Sequence, residues 1–392
     1  MIVGQLGDDA SANVLVLVNQ ELFDPLAPEL TTLEDDMRNE SWHPAFSVIP
    51  STTAEELRGF LQAIYAEQPF SGVFLIGTFP FIKSSAYLDD NGADWAGPAD
   101  LYLMDLDGSW IDTDGDGLYD RLEDGAGDRE PEIFVGRLNA QHVDIFGESE
   151  VDLMKRYFAR NHAYRTGGLA TQDAAVYATY AHHHYGRYDS ASASWSQNEI
   201  DAMVGLLPET EVFIFDDEPD GERLEDVNEW PAEFWNVSSS EDRRDVPARQ
   251  EFLALMGDGY HYLSIGIHGW PRGWEYLFMV EDVISVLDSG GQLPVFVHSG
   301  SCSTGNISQD NDLGSTLTMG GSLVFFGPAA PSEMTWEEYV LWTESLVKLP
   351  VGPAFLEVQA FSTASDHGPV PTSVVWILLG DPTLRVRTLA TE

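Results

Sequence analysis

The sequence predicts an α/β protein built from two doubly wound units, each with a mostly parallel sheet and flanking helices. Short apolar runs rich in β-branched residues alternate along the chain with longer segments of helical periodicity. Such alternation is the pattern of right-handed crossovers in parallel sheets. The chain has 392 residues, which is long for a single core. We therefore expect one unit at residues 12–165 and a second at residues 166–390.

The first unit opens with a run of five apolar residues between two asparagines, at residues 13–19, which is typical of a strand buried on both faces. Ser51 and Thr52 are residue types that cap helices, so they predict a helix from residue 53. The other predicted strands lie at residues 46–49, 72–77, 100–105 and 132–135. The predicted helices lie at residues 26–39, 53–67 and 143–165.

The second unit follows Thr166-Gly167-Gly168, which we interpret as the boundary between the units. It repeats the alternation of strands and helices. Its predicted strands lie at residues 174–179, 212–215, 262–267, 293–298 and 322–326. Its predicted helices lie at residues 197–207, 250–257 and 280–287.

The charge balance limits the partners. The chain has 65 acidic and 19 basic residues, a formal net charge of −46. Such a surface repels nucleic acids and anionic membranes, so neither is an expected partner. No apolar run approaches the roughly 18 residues of a membrane span, so membrane insertion is not expected. The acidic excess predicts a halophilic protein whose self-repulsion is screened by concentrated salt. A secreted, calcium-rich environment is the alternative explanation.

The sequence does not fix the compartment. The first nine residues lack the basic and apolar regions of a signal peptide. The single cysteine excludes an intrachain disulfide, so cysteine usage does not separate oxidising from reducing compartments. We expect a secreted or cell-surface protein, with the cytoplasm as the alternative. The sequence makes no prediction about oligomeric state.

Cys302 and His268 are the candidate catalytic residues. Each follows a β-branched apolar run, so both side chains are expected at the carboxyl edge of one sheet. A thiol beside an imidazole that can accept its proton is a candidate nucleophile. Taken alone, either residue type is more often structural. Their shared context favours chemistry, because Gly269 and Gly305 follow them and let main-chain N–H groups approach a substrate carbonyl.

Residues 112–123 match the D-x-D-x-D-G-x5-E calcium-binding pattern. Gly117 permits the tight turn of such a loop. Acidic, glycine-rich loops also occur without a metal, but acids in register with the glycine favour Ca²⁺ as a cofactor. The context is not helix–loop–helix, so the three early aspartates carry the prediction. The predicted ligands are Asp112, Asp114, Asp116, the carbonyl of Leu118, Asp120 and Glu123.

Four segments resemble the gingipain-type cysteine peptidases, relatives of caspases and clostripain. The segments are residues 131–138, the pair His268-Gly269, the turn Cys302-Ser303-Thr304-Gly305, and residues 379–387. They occur in the order of that family and span most of the chain. The resemblance implies a caspase-like fold of two α/β subdomains. It also implies that Cys302 is the nucleophile, that His268 transfers the proton, and that the main-chain N–H groups of Gly269 and Cys302 form an oxyanion hole.

The sequence departs from the arginine-specific members at two places. Ala181 stands where they have a glutamate, and three histidines follow it. Adjacent side chains on an extended chain diverge, so we interpret these histidines as a polar loop, with a zinc site as the alternative. Residues 190–195, where those members place the acid of the specificity pocket, contain no acid.

Asp189 and Glu333 are the acids nearest the positions that the family uses for substrate specificity. A basic P1 side chain needs a carboxylate partner in a desolvated pocket. These acids therefore predict cleavage after Arg or Lys. A large apolar P1 residue, held by Met334 and Trp336, is the alternative.

The sequence as a whole predicts a calcium-binding cysteine endopeptidase that acts on proteins or peptides. Two other functions remain open. The departure at Ala181 and the acidic surface favour a catalytically silent binding or scaffold protein with a peptidase fold. A sortase-like transpeptidase would use the same acyl-enzyme but transfer the acyl group to an amine instead of water.

Overall fold

The computed structural model describes residues 2–3, 6–88, 94–180, 190–215, 247–275, 277–332, 334–366 and 368–387. Within these residues the protein is a mixed α/β structure, with one large, mostly parallel sheet flanked by helices. The predicted fold class is confirmed in these terms. None of the helices in the described ranges has the length and apolar composition of a membrane span.

The strands carry most of the buried apolar residues. In chain order they are β1 (Ile2–Val3), β2 (Asn13–Asn19), β3 (His43–Ile49), β4 (Gly72–Ile76), β5 (Ile82–Leu88), β6 (Asp94–Ala99), β7 (Ser109–Ile111), β8 (Leu118–Tyr119), β9 (Arg121–Glu123), β10 (Phe134–Leu138), β11 (Gln172–Tyr180), β12 (Thr210–Phe215), β13 (Tyr260–Gly266), β14 (Gly273–Trp274), β15 (Phe278–Met279), β16 (Phe296–Ser299), β17 (Val324–Pro328) and β18 (Trp376–Gly380).

The helices connect these strands. They are α1 (Gln20–Phe23), α2 (Ala27–Asn39), α3 (Ala54–Glu67), α4 (Leu101–Met104), α5 (Glu150–Arg165), α6 (Ser190–Leu206), α7 (Pro247–Gly257), α8 (Val280–Asp288), α9 (Leu313–Gly320), α10 (Trp336–Leu346) and α11 (Val351–Ser365). Helix α3 shows how local sequence sets a boundary. The Thr53 side chain accepts from the Glu56 N–H, and the Glu56 carboxylate accepts from the Thr53 N–H, which forms a capping box.

Both predicted units contribute to a single sheet. Its strand order is β1-β3-β2-β4-β10-β18-β17-β16-β13-β11-β12. Neighbours pair in parallel from β3 to β10 and from β17 to β12, whereas β1 is antiparallel to β3 and β17 is antiparallel to β18. The prediction of a separate sheet for each unit is therefore corrected, because β18 pairs with β10 on one side and β17 on the other. The unit boundary at residues 166–168 remains a prediction.

Helix α5 shows that the two halves of the sheet share one carboxyl edge. Its end contacts Glu40, which precedes β3, and His261 at the start of β13. The amino ends of β3 and β13 therefore lie at one edge of the sheet, and their carboxyl ends lie at the other. The carboxyl end of a strand is where open α/β sheets place ligand sites.

Two of the segments that differ from their prediction show the physical reason. Residues 100–105 do not form a strand, because Leu101–Met104 is helix α4 with all four side chains buried. An apolar run that is buried all round has no periodicity that separates helix from strand. The helix predicted from residue 143 begins instead at Glu150, where Ser149 accepts a hydrogen bond from the Asp152 N–H as the N-cap.

Two of the family-like segments hold the sheet together. A Cβ atom on Gly136 would lie 2.7 Å from the ring of Pro382, so residues 131–138 and 379–387 pack in direct contact. Asp381 is fully buried and accepts hydrogen bonds from Arg165 at 2.7 Å and from Asn161 at 2.9 Å. These contacts tie helix α5 to the segment after β18. Both segments are thus structural parts of the fold.

Candidate active site

His268 and Cys302 follow the carboxyl ends of two neighbouring strands. Strands β13 and β16 pair in parallel, with Ser264 opposite His298 and Ile265 opposite Ser299. His268 comes two residues after β13, and Cys302 comes three residues after β16. The parallel register therefore directs both loops to the same edge of the sheet.

The two loops are linked by main-chain and side-chain hydrogen bonds. The Gly300 N–H donates to the Ile265 carbonyl at 2.7 Å. The Ile267 N–H donates to the Ser301 hydroxyl at 3.2 Å. Ser301 is fully buried, so this contact is shielded from water. The loops thus form one unit just before His268 and Cys302.

Gly269 lies against the main chain of the cysteine loop. A Cβ atom built on Gly269 would lie 2.7 Å from the Ser301 Cβ, 2.8 Å from the Cys302 carbonyl oxygen and 2.9 Å from the Thr304 Cγ2. Real Cβ atoms do not approach other atoms this closely. Glycine is therefore required here by close packing, and its backbone can lie within reach of Cys302.

Hydrogen bonds of hydroxyl groups hold the turn that carries Cys302. Ser303 adopts a positive φ of 61°, which costs a non-glycine residue about 1–3 kcal/mol. The Thr304 hydroxyl donates to the Ser301 carbonyl at 2.8 Å and is bonded to the Ser299 hydroxyl at 2.9 Å. The Trp274 indole N–H also donates to Ser299, at 2.9 Å. These contacts compensate the strain and fix the turn.

The segment after β17 forms a wall beside the thiol. The Cys302 Sγ lies 3.9 Å from the Ser332 carbonyl oxygen, and the Ser303 N–H donates to the Ala330 carbonyl at 3.3 Å. The Ser332 hydroxyl donates to the Thr372 carbonyl at 2.8 Å and accepts from the Trp376 indole at 3.0 Å. The wall is thereby anchored to the start of β18.

The site is open to solvent at the imidazole and partly open at the thiol. His268 is exposed, whereas Cys302 is half-buried. Within the described residues, the main-chain N–H groups of Gly269 and Cys302 have no hydrogen-bond acceptor. Two donors of this kind beside a thiol are the chemical requirement for binding an oxyanion.

The structure describes two of the four predicted specificity residues. Met334 is half-buried and packs against the main core, and Trp336 is the first residue of α10. Both follow the wall segment that contacts Cys302. Asp189 and Glu333 lie outside the described residues, as do Ala181 and the three histidines after it.

The predicted calcium loop begins after β7 and includes β8 and β9, so it has a β-strand context and does not lie between helices. Carboxylate oxygens of Asp112, Asp114 and Asp116 lie within 4.8 Å of one another. Gly115 and Gly117 have positive φ angles of 82° and 90°, and their N–H groups donate to Asp112. The bond from Gly117 lowers the pKa of the Asp112 carboxyl most strongly. Three hard oxygen donors around one point fit a Ca²⁺ ion.

The later positions of the loop point elsewhere. The Asp120 carboxylate accepts hydrogen bonds from the N–H and hydroxyl of Thr113. Glu123 forms an ion pair with Arg121 at 2.8 Å. Leu118 pairs with Lys83 in the parallel β5–β8 contact. The structure therefore brings together the three early aspartates but does not bring Asp120 or Glu123 to them.

Sequence reasoning missed the residues that support the cysteine turn. No sequence motif links Cys302 to Ser301, Ser332 and Trp376. Ser332 and Trp376 come from distant segments of the chain. The one available signal was the density of small hydroxyl residues in Ser299–Thr304, which can bond the main chain of a turn.

Comparison with known proteins identifies the family. The model of peptidase family C25 matches residues 46–387. No curated protein sequence matches the chain. Among solved structures, the separase–securin complex of Saccharomyces cerevisiae superposes with a TM-score of 0.37 and 11% identity, over 80% of this chain and 15% of that chain. Shikimate 5-dehydrogenase from Listeria monocytogenes gives a TM-score of 0.22 and 10% identity, over 92% of this chain and 94% of that chain.

The chain spans only a small part of the separase length. The assignment rests on the family match, which covers most of the chain and contains both His268 and Cys302. The resemblance to gingipain-type enzymes is thereby confirmed. The protein belongs to peptidase family C25, a family of cysteine peptidases.

Proposed function

We propose that the protein is an endopeptidase in which Cys302 is the nucleophile and His268 its proton-transferring partner. The close approach of Gly269 to the Cys302 main chain carries this proposal, because it places both loops at one point. Membership of a cysteine peptidase family supports it. Cys302 is also partly exposed to solvent.

The proposed reaction has two steps. His268 accepts the proton of the Cys302 thiol, and the thiolate attacks the carbonyl carbon of the scissile bond. A C–S bond forms, the C–N bond breaks, and the proton passes from His268 to the departing amine. Water then attacks the thioester with His268 as the base, which releases the acid and restores the thiol.

The oxyanion of the tetrahedral intermediate needs preorganised donors. The main-chain N–H groups of Gly269 and Cys302 are the proposed pair, since neither has an acceptor within the described residues. One such donor typically accounts for a factor of about 10²–10³ in rate. The hydroxyl contacts of the turn would hold the Cys302 N–H in place.

We further propose that substrates carry Arg or Lys at P1. The net charge of −46 attracts cationic peptides, and the wall segment beside Cys302 leads into Glu333 in the sequence. Asp189 is the second proposed acid. Met334 and Trp336 would favour a large apolar P1 residue instead, so the P1 profile decides between the two pockets.

We also propose that Ca²⁺ binds to Asp112, Asp114 and Asp116 and stabilises the loop between β7 and β8. Three carboxylates within 4.8 Å repel one another unless a cation lies between them. Water would complete the oxygen ligands that Ca²⁺ prefers. The role of the ion in this proposal is structural.

A peptide library incubated with the full chain and Ca²⁺ tests the proposal. We expect cleavage by the native protein, with Arg or Lys at P1, and none by Cys302→Ala. Equal cleavage by Cys302→Ala would contradict the nucleophile. An intact library would favour a binding or scaffold role. Products extended by an added amine would identify a transpeptidase.

The specificity acids need their own variants. Asp189→Asn and Glu333→Gln should each reduce kcat/KM for basic P1 residues, and together they should reduce it at least 100-fold. Glu337→Gln, an exposed acid in the first turn of α10, is the matched control. A profile dominated by Phe or Leu, or a basic preference that survives loss of both acids, would show that the pocket assignment is wrong.

A further inference from the structure

A second pocket lies in the N-terminal half of the protein, with a volume of about 580 Å³. It lies outside the carboxyl ends of β2, β3, β4 and β10, and its lining includes Asn19, Thr52, Thr78 and Gln141. Strands β3 and β4 flank β2 on opposite sides, so the order of winding reverses here. Ligands of open α/β sheets bind at such switch points. We call it the N-terminal edge pocket.

This pocket is separate from the proposed active site. Neither Cys302 nor His268 contributes to its lining. The strands that build it are separated from β16 and β13 in the sheet by β18 and β17. A ligand in the N-terminal edge pocket would therefore not occupy the peptidase cleft.

The floor of the pocket is rigid and polar. The Asn19 amide donates to the Thr78 carbonyl at 3.1 Å, and the Thr78 hydroxyl donates to the Gln141 side-chain oxygen at 2.5 Å. Gly77 has a φ of 98°, and a Cβ atom there would lie 2.7 Å from both Asn19 and Leu22. The glycine thus allows the segments after β2 and β4 to meet. Hydrogen-bonding groups are held in fixed positions before any ligand binds.

The rim is fixed by a buried arginine. Arg137 donates to the carbonyl oxygens of Phe79 and Pro80 at 3.1 Å and 3.0 Å, and pairs with the buried Asp100 carboxylate. Phe79, Pro80 and Phe81 line the pocket. The apolar part of the wall is therefore held by an ion pair in the core of the protein.

The charge of the pocket is negative and incompletely compensated. Glu21 and Glu150 line it, and none of its described lining residues is basic. The Glu150 Oε1 atom is enclosed and has no hydrogen-bond partner among the described residues. Burial raises the pKa of the Glu150 carboxyl, and the nearby Glu21 raises it further, against a smaller opposite effect of His142. An enclosed carboxylate oxygen without a partner is costly, and a cation would remove that cost.

The shape of the pocket argues against a metal ion. A volume of about 580 Å³ is much larger than a metal site, and it has apolar as well as polar walls. The described groups of three or more acidic side chains that converge closely enough for a metal lie elsewhere, at Asp105 and at Asp112. An extended organic cation fits both the size and the mixed lining.

We propose that the N-terminal edge pocket binds an organic cation, with an ammonium or guanidinium group between Glu21 and Glu150. The oxygens of Asn19 and Gln141 would accept its remaining N–H groups. The apolar stem of the ligand would lie against Phe81. Such a group is present in small amines and in the basic side chains of polypeptides. The proposal does not depend on peptidase activity.

Calorimetric titration of the full-length Cys302→Ala protein tests this proposal, because the substitution prevents cleavage of peptide probes. The probes are agmatine and an acetylated, amidated Gly-Arg-Gly peptide, with the citrulline peptide as the neutral match. We expect at least one basic probe to bind and the citrulline peptide not to bind. For the binding that Glu150→Gln weakens, tighter binding of agmatine identifies a small amine as the source, and tighter binding of the peptide identifies a polypeptide.

Variants place the binding in the N-terminal edge pocket. Glu150→Gln should weaken affinity at least tenfold and the exposed Glu21→Gln severalfold. Glu67→Gln, an exposed acid at the end of α3 outside the pocket, should change affinity less than twofold. Thermal melts check that each variant is folded. If Glu150→Gln does not fold, Glu21→Gln still tests the proposal. Failure of both basic probes to bind, or unchanged affinity in the folded variants, would overturn the proposal.

Discussion

A Cβ atom on Gly269 would lie 2.8 Å from the carbonyl oxygen of Cys302. The loops that follow β13 and β16 are therefore in main-chain contact at the point where the candidate catalytic residues lie. Gly300 lies in the same region and has no such restriction. A Cβ atom built on Gly300 would lie 3.6 Å from its nearest neighbour, the Gly266 Cα. The two glycines thus allow the close contact to be tested against a matched position.

Gly269→Ala should inactivate the enzyme without unfolding it. The added methyl group forces the two loops apart, and a misplacement of about 1 Å can cost about 100-fold in rate. We expect kcat/KM on a cleaved peptide to fall by that order. The stability cost of overpacking should be about 1–3 kcal/mol. Gly300→Ala should keep near-native activity. Equal activity of both variants would show that the contact at Gly269 is not needed for catalysis.

Calcium should raise the melting temperature through the three early aspartates of the loop. Binding to the folded state alone contributes about 2.7 kcal/mol at a concentration 100 times the Kd. Asp112→Asn should lower the Ca²⁺ affinity at least tenfold, because it removes a charge from the three converging carboxylates. Glu123→Gln should change it less than threefold, because Glu123 is paired with Arg121. A melting temperature that changes neither with added Ca²⁺ nor with a chelator would contradict the site.

Glu199 should make the protein less stable as the pH rises. Burial raises the pKa of the Glu199 carboxyl from 4.5 to about 7, and Tyr177 donates a hydrogen bond to it. Between these pH values the unfolded chain loses the proton first, so the free energy of unfolding falls.

Glu199→Gln should remove that fall and stabilise the protein at pH 8, by at most about 3 kcal/mol. At pH 4 the native protein and the variant should have similar stability. Denaturant titrations at the two pH values measure the difference, with the exposed Glu209→Gln as the control. A constant difference between native and variant across this range would refute the assignment.

Salt should stabilise the protein because of its net charge of −46. The screening length falls from about 10 Å at 0.1 M to about 3 Å at 1 M monovalent salt, which weakens the self-repulsion of the folded state. We expect the melting temperature and activity to rise over this range. A flat response would remove the halophilic interpretation and leave the peptidase proposal intact.

The best-predicted elements were those whose sequence pattern indicates how they are buried. The strand at residues 13–19 matches β2 at both ends, because a short β-branched run between polar residues suits a buried parallel strand. Helix α4 was missed because the residues around Leu101–Met104 are apolar on all sides. The insertion of β18 between β10 and β17 depends on pairing over long sequence distances, which local patterns do not report.

The same distinction applies to the candidate site. His268 and Cys302 were recognisable because each follows a strand and has a reactive side chain. The wall at Ser332 and its anchor at Trp376 come from other segments, so their position depends on the tertiary fold. Glu123 fits the calcium pattern in sequence, but it lies in β9 opposite Ser109 of β7 and pairs with Arg121. A spacing pattern contains no information about such competing contacts.

The central claim is that Cys302 forms a covalent acyl-enzyme. Because Cys302 is the only cysteine, one measurement identifies it: intact-mass analysis after rapid acid quenching of the native protein with an activated ester of a cleaved peptide. The account predicts one acyl adduct, located by digestion on the segment that contains Cys302 and absent from Cys302→Ala. Turnover of the ester without any adduct, together with equal turnover by Cys302→Ala, would contradict it.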